Sequence, residues 1–571
     1  MKSDKKRWKA SQQIVHILVK TRKSTQPLRV MPTLSQSFFN FNLSSRLLGV
    51  SSDLSPQTLL VVTLSFFTLS FFILLKVNKR WRGGIVGPRV GDALYKEVLE
   101  KRHHGMISVH EKYGEVVSFP TPSGTVIFMR GNEELERVFT DTKYFAKNTD
   151  TWSAAGTVSD VNNLIQPMYK GSLFETTGKE HNENRKTINP FFAHPLMIHS
   201  TIKAFNQYSD ARWGEEFTGD ILDDFHSIVK FAMVELLGSY CLTEDDDALL
   251  KRVIMHFVKK NVDGAGDEKA TLLTKKDEEM FLEMEAVADR CLEHVKAEMT
   301  TKANEGQGNV HEKGLVYLML KSGKYSDQAI KELFVNLVVA GGETPALACC
   351  KTLAAMAQNP AILERAAQEV DDTFPASADI DPSKIDRLDY LDACIMEGLR
   401  RYAPATIVGR RVVKETKVCG VTVPKDSNLQ VSVHAAHMNP AVWDNPDAFN
   451  PERFAKGKEI PKGGFVAFGL GGRACPGKRA YMKMAKAILA CMLKKYIVVE
   501  DPNTKNDLDS FMPNRFVAWP SEGHVTLKMV QRINVNYTTK NNDGDVDTHF
   551  GADFSRQFVP TRRSAFGGNG R

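Results

Sequence analysis

Cysteine is scarce in this chain. Only eight of 571 residues are cysteine (Cys241, Cys291, Cys349, Cys350, Cys394, Cys419, Cys475 and Cys491), and no two have C-x-x-C spacing. The pattern points to neither a zinc site nor a dense disulfide framework, and a reducing compartment suits the globular part. No internal repeat is visible. Excess charge is also missing from most of the chain. Lys and Arg total 75 against 68 Asp and Glu, but residues 1–53 hold ten bases and two acids, so the remainder carries 65 against 66. A body this close to neutral argues against nucleic acid as its partner.

What is present divides the chain into segments. Residues 1–53 are basic, poor in acids and rich in serine, as transit peptides are. Thr58 to Leu75 is a run of eighteen residues without charge, long enough to span a bilayer core as a single transmembrane helix. Lys76, Lys79, Arg80, Arg82 and Arg89 follow it, whereas the twenty residues before it hold only Arg46 among bases. That asymmetry places the bulk of the protein on the cytosolic side, and the transit-like composition leaves a plastid or mitochondrion as the alternative address. Residues 76–92 form a basic, Gly/Pro-rich hinge ("GGIVGPRVG"). Alternation around Pro122-Ser123-Gly124 predicts a hairpin. Residues 190–360 and 382–402 read as helices, and 405–433 as short strands. Residues 533–571 are polar and Gly/Asn/Asp-rich and are expected to be disordered.

Three stretches carry chemistry. "FGLGGRACPG" (468–477) sets one cysteine in a glycine-rich loop. Directly after it, Tyr481, Met484, Ile488, Leu489 and Met492 follow helical spacing. A helix N-terminus favours an anion and should lower the Cys475 pKa, and the thiolate is the metal-binding form. "EGLR" spaces Glu397 and Arg400 on one helix face, with "FNPERF" fifty residues on. "VVAGGETPALACC" (338–350) lies in an apolar helix predicted from Ser326 to Asn359. There Gly341-Gly342 and Pro345, which has no N–H, predict a locally opened backbone.

Phe468, Gly471, Arg473, Cys475 and Gly477 fit F-x-x-G-x-R-x-C-x-G, and by them the chain resembles the cytochrome P450 haem-thiolate enzymes over about residues 84–532. The resemblance implies a mainly α fold with small β-sheets, the P450 haem domain occupying 93–532, and haem b (iron protoporphyrin IX) as cofactor with Cys475 as axial ligand. Arg473 would pair with a haem propionate. Glu397, Arg400 and Arg453 would form a structural network beneath the haem. Ala340, Gly341, Glu343 and Thr344 are similar to the family's oxygen-activating stretch, with Glu343 and Thr344 relaying protons. His181 and Arg185 resemble its Trp/His-x-x-x-Arg propionate contact. Arg411 and His437 occupy positions similar to family positions at or near the haem.

The implied function is insertion of one atom of O2 into a lipophilic substrate such as a fatty acid, a sterol or another lipid. No flavin or nicotinamide domain follows residue 532, so electrons are expected from a separate NADPH-dependent reductase, or from a ferredoxin in an organelle. Lys478, Lys483 and Lys486 could face such an acidic partner. The expected location is the endoplasmic reticulum membrane, with the catalytic domain in the cytosol. Two other readings stay open, a haem-thiolate isomerase or dehydratase acting on an oxidised lipid and a haem-binding sensor or carrier without turnover.

Overall fold

The computed structural model describes residues 85–532, apart from 102, 122–123, 148–172, 174–175, 193–195, most of 238–273, 306–313, 376–378, 511–519 and 521–523. The expected N-terminal extension, membrane anchor and C-terminal tail lie outside the described residues, as does the first part of the hinge.

The predicted hairpin forms. Strands β1 (Val116–Thr121) and β2 (Gly124–Met129) pair antiparallel, and the register closes at Thr121↔Gly124. They belong to a five-stranded sheet with β3 (Phe145–Ala146), β4 (Ile407–Val412) and β5 (Asn428–Ser432), in the order β1-β2-β5-β4-β3. Only the β2–β5 pairing is parallel. Val116–Phe119 of β1 and Val126–Met129 of β2 are buried residue after residue, so these strands are covered on both faces. A three-stranded sheet (216–220, 526–531, 496–500) and a two-stranded one (416–418, 421–423) complete the β-structure of the described residues.

Helices make up the rest. Those that position the site are α1 (Gly178–Phe192), α2 (Leu196–Arg212), α3 (Ile221–Leu237), α4 (Asp327–Ala357), α5 (Asp389–Tyr402) and α6 (Lys478–Lys495). The bounds of α4 follow local chemistry. The Ser326 hydroxyl accepts from the Ala329 N–H at 3.2 Å as an N-cap, and the next helix begins at Pro360, where its missing N–H is no loss. Helix α4 is apolar on every side and long enough to cross a membrane, yet 72% of its most apolar window is buried inside the protein. It is the central core helix, as all-round hydrophobicity in a folded domain implies. It packs on α3, where Gly341 faces Met233, and on α5. At the latter crossing a Cβ on Gly398 would stand 2.0 Å from Thr352 Oγ1, so only glycine permits the approach.

The backbone does not open at 341–345. Helix α4 runs unbroken through Pro345. The proline withholds an N–H from the Gly341 carbonyl, but the close packing of the flanking turns keeps the helical path.

Candidate active site

The loop before α6 is shaped by two glycines in the left-handed region, Gly469 (φ +64°) and Gly471 (φ +68°). A Cβ on Gly471 would also meet Thr140 Cγ2 at 2.7 Å. The Cys475 N–H closes the loop on the Phe468 carbonyl at 2.8 Å, and Gly477 caps α6. Cys475 therefore sits just ahead of a helix N-terminus, with the N–H groups of Gly477 and Lys478 donating to its sulfur. The sulfur is accessible but recessed. Burial pushes the thiol pKa up, and these N–H groups and Arg185 oppose the rise without overcoming it. The expected lowering is thus corrected, because desolvation of the anion outweighs the helix terminus. A thiolate here needs a cation beside the sulfur, which a coordinated metal supplies.

Cations gather around this loop. Arg473 donates to the carbonyls of Leu173 at 3.2 Å and Thr176 at 2.9 Å, and Arg185 of α1 donates to that of Ala474 at 2.6 Å. Arg410 of β4 donates to the Gly409 carbonyl and lies 4.7 Å over the Phe139 ring. Among the described residues no carboxylate lies within ion-pair distance of Arg185, Arg410 or Arg473. Their mutual repulsion is visible in the titration of the group. Burial and then Arg473 lower Arg410 to about 10. Burial, then Arg473 and Arg410, bring Lys147 down to about 7. His181, buried on α1, is lowered to about 4 by burial and then by Arg473. Arginines held out of water without anions are costly, and Arg185, Arg410 and Arg473 fit a ligand carrying more than one negative charge.

Arg411 is not in this group. Side chains alternate along β4, so Arg410 turns inward while Arg411 is exposed and pairs with Asp426 at 2.9 Å. The arginine that joins the cluster is its neighbour. Lys147 also escaped sequence reasoning. Its only local mark is that it follows the short apolar pair Phe145–Ala146.

The cytochrome P450 family model matches residues 82–527, most of the chain. The chain belongs to the cytochrome P450 family. Family members hold haem through a cysteine thiolate. Among curated relatives of this P450, CYP13A5 of Caenorhabditis elegans is 38% identical over 174 residues, 30% of this chain and 33% of that protein. Tabersonine 6,7-epoxidase isoform 1 of Catharanthus roseus is 33% identical over 200 residues, 33% of this chain and 39% of that protein. CYP13A3 of Caenorhabditis elegans is 31% identical over 321 residues, covering 55% and 56% respectively. The matched stretches thus span from a third to just over half of these relatives. The residues of this P450 fit the family's cofactor. Haem carries two carboxylates and a cationic iron, and the recess offers arginines without a carboxylate among the described residues, beside a thiol that needs a positive charge to ionise.

Thr344 of α4 donates its hydroxyl to the Ala340 carbonyl at 2.9 Å, and both Thr344 and Glu343 are partly exposed within an otherwise buried stretch. Gly342 is buried, yet a Cβ there would meet nothing within 4 Å, so this turn of the helix borders open space. Two partly exposed polar side chains, Glu343 and Thr344, and a proline that withholds its N–H from the Gly341 carbonyl thus fall on one turn of an apolar helix.

The Glu397 cluster lies elsewhere in the P450 domain, and its charges are paired. Arg400 Nε and Nη2 donate to the two Glu397 oxygens at 2.7 and 2.8 Å, and both side chains are 0% exposed. Arg453 Nε stands 3.4 Å from Glu397 Oε1, which also accepts the Asn450 N–H at 2.9 Å. Arg400 donates further to the carbonyls of His437 and Pro446. His437 is part of this scaffold. Its Nδ1–H donates to the Arg400 carbonyl at 3.0 Å, its Nε2 accepts the Val466 N–H at 2.9 Å, and burial holds its pKa at about 3. Of the lysines on α6, Lys478 is exposed, but Lys486 is buried and paired with Asp392 at 3.1 Å and Asp386 at 3.6 Å, so it is not available to a partner.

Proposed function

We infer that this P450 is a haem-thiolate monooxygenase, inserting one atom of O2 into a lipophilic substrate with electrons from a separate reductase. The observation that carries the reading is Cys475, whose sulfur receives two backbone N–H groups at the head of α6 beside arginines that no carboxylate among the described residues neutralises. When bound, haem supplies the oxygen-activating and oxygen-inserting chemistry, with a thiolate on the iron favouring O–O cleavage. The protein's own part follows from its residues. Arg185, Arg410 and Arg473 bind and orient the propionates. Thr344 spends its one proton on the Ala340 carbonyl, so its oxygen remains an acceptor for a water's O–H. The Gly341 carbonyl, denied a donor by Pro345, can hold a second water. With Glu343 adjacent, this turn can hand a proton inward along water. The Glu397–Arg400–Arg453 network fixes the scaffold and touches no reacting atom.

The distal Thr344–Glu343 pair favours oxygen activation over isomerisation, dehydration or mere carriage, and one relative is an epoxidase, an enzyme that adds oxygen. An anchor at 58–75, with the domain on the cytosolic face of the endoplasmic reticulum, would give access to lipid-soluble substrates and a membrane reductase. A ferredoxin would serve in a plastid or mitochondrion. Exposed Lys478 and Arg479 offer positive charge near the cysteine loop for an acidic redox partner.

The test is the absorption spectrum of the reduced, CO-bound protein. A Soret band shifted far to the red in the wild type and absent in Cys475→Ala is expected. An imidazole-type band, or the same band in both proteins, would overturn the assignment.

A further inference from the structure

One side chain leads out of the closed Glu397 network toward the cysteine loop. His437 ends the short helix Val433–His437 and is fully buried. Its link to Arg400 is reciprocal. Arg400 Nη1 donates to the His437 carbonyl at 2.9 Å, and His437 Nδ1–H donates to the Arg400 carbonyl at 3.0 Å. A carbonyl only accepts, so the ring proton sits on Nδ1 and Nε2 is left as an acceptor. Nε2 receives the Val466 N–H at 2.9 Å. The ring also stacks on Phe465, with centroids 5.5 Å apart and planes 8° from parallel. Its partners thus set both tautomer and orientation. One edge of the ring rests on α5, the other on the chain entering the cysteine loop.

Little lies between Val466 and the sulfur. The Val466 carbonyl accepts the Gly469 N–H at 2.9 Å, closing the turn in which Gly469 takes its φ of +64°. Phe468, inside that turn, accepts the Cys475 N–H at 2.8 Å. The approach to the turn is held as well. Asn132 donates to the Gly463 carbonyl at 2.8 Å, and the Trp443 indole donates to that of Gly464 at 3.1 Å. Of these three grips, that of His437 is nearest the loop and is the one hydrogen-bonded to Arg400.

We propose that His437 is a positioning residue for the axial sulfur, carrying the rigidity of the Glu397–Arg400 network through the Val466 N–H into the cysteine loop. The proposal deepens the haem-thiolate reading and rests on it. His437 acts on geometry alone. The sulfur accepts the Gly477 and Lys478 N–H groups while the loop keeps its turn, and a thiolate moved away from such donors is more readily protonated. Val466 is buried, so an N–H left there without an acceptor is costly, and losing the acceptor should open the turn.

Two amide substitutions separate this role from a purely structural one. The glutamine amide stands as far from Cβ as Nε2 does, so His437→Gln can still accept the Val466 N–H while giving up the Arg400 bond. The asparagine amide stands where Nδ1 does, so His437→Asn keeps the Arg400 bond and leaves Val466 unpaired. The full-length, haem-loaded proteins are reduced under CO and their Soret spectra recorded. Wild type and His437→Gln should keep the band shifted far to the red, and His437→Asn should lose most of it to a band at shorter wavelength. Hydrogen exchange of the haem-free chains, followed by mass spectrometry, reads the loop without the cofactor. Peptides spanning 465–475 should exchange about tenfold faster in His437→Asn than in His437→Gln, with α4 as protected as in the wild type. With the band present in the wild type, a contrast missing from either readout overturns the proposal. The opposite order, asparagine sparing the band and glutamine losing it, does so too and gives His437 to the Arg400 side. Failure of either variant to fold would make His437 scaffold only, which is equally fatal. Failure of the underlying reading looks different, since no protein, wild type included, would then show the red-shifted band, whatever the exchange of the loop.

Discussion

Around Glu397 every buried charge has its partner, because Arg400, Arg453 and the Asn450 N–H converge on one carboxylate, and Arg400 and Arg453 also reach carbonyls. Around Arg473 the reverse holds, since three arginines meet carbonyls but no anion among the described residues. Both clusters draw on several elements, but the first is almost wholly buried while the second is partly open to solvent. The first is closed and complete as the chain folds. The second lacks an anion among the described residues and fits one supplied by a ligand. A buried ion network whose charges are paired is architecture, whereas one left with charge of a single sign is a receptor.

The contrast can be broken most forcefully at Glu397. Glu397→Ala strands two buried arginines and should cost about 3–5 kcal/mol in urea unfolding, enough to prevent accumulation of folded protein. A loss below about 1 kcal/mol would mean the closed network is dispensable. His437 sharpens the same side through pH. Burial and then Arg400 hold its ring at about 3, so the folded state resists a proton that the unfolded chain accepts near 6.5. Its contribution is full above about pH 6.5 and is lost as pH falls toward 3, by up to about 1.4 kcal/mol per unit. Unfolding free energies at pH 7, 5 and 4 should fall less steeply in His437→Gln than in the wild type. Equal slopes would remove His437 from the account. On the open side the effect is smaller and of opposite character. Arg410→Met should weaken haem retention about tenfold to hundredfold while leaving the haem-free fold as stable as before or slightly more so. Arg411→Met should change neither. Equal losses from the two arginines would erase the distinction between the faces of β4.

Much of this was legible in the chain because it is local. The cysteine loop, the E-x-x-R spacing, the hairpin register and the bounds of α4 each depend on residues a few positions apart. What misled was contact between distant segments. Which of two adjacent arginines turns inward depends on how β4 seats in its sheet, and one step of register reverses the answer. Lys147 enters the site through a two-residue strand pairing with residues some 265 positions away, which no local pattern announces. The expected low pKa of Cys475 failed for a related reason. The helix terminus is visible in sequence, but the depth of burial that outweighs it is not. At Pro345 the local rule was sound and tertiary packing overrode it, holding α4 continuous.

The open cluster also bears on how long the polypeptide lasts. A chain that folds around repelling cations is least secure before its ligand arrives, and ligand binding stabilises only the folded form, increasingly so as free ligand exceeds its dissociation constant. Newly made protein is therefore exposed to proteolysis for as long as haem is short, and its steady-state abundance follows the supply of haem as well as the rate of translation.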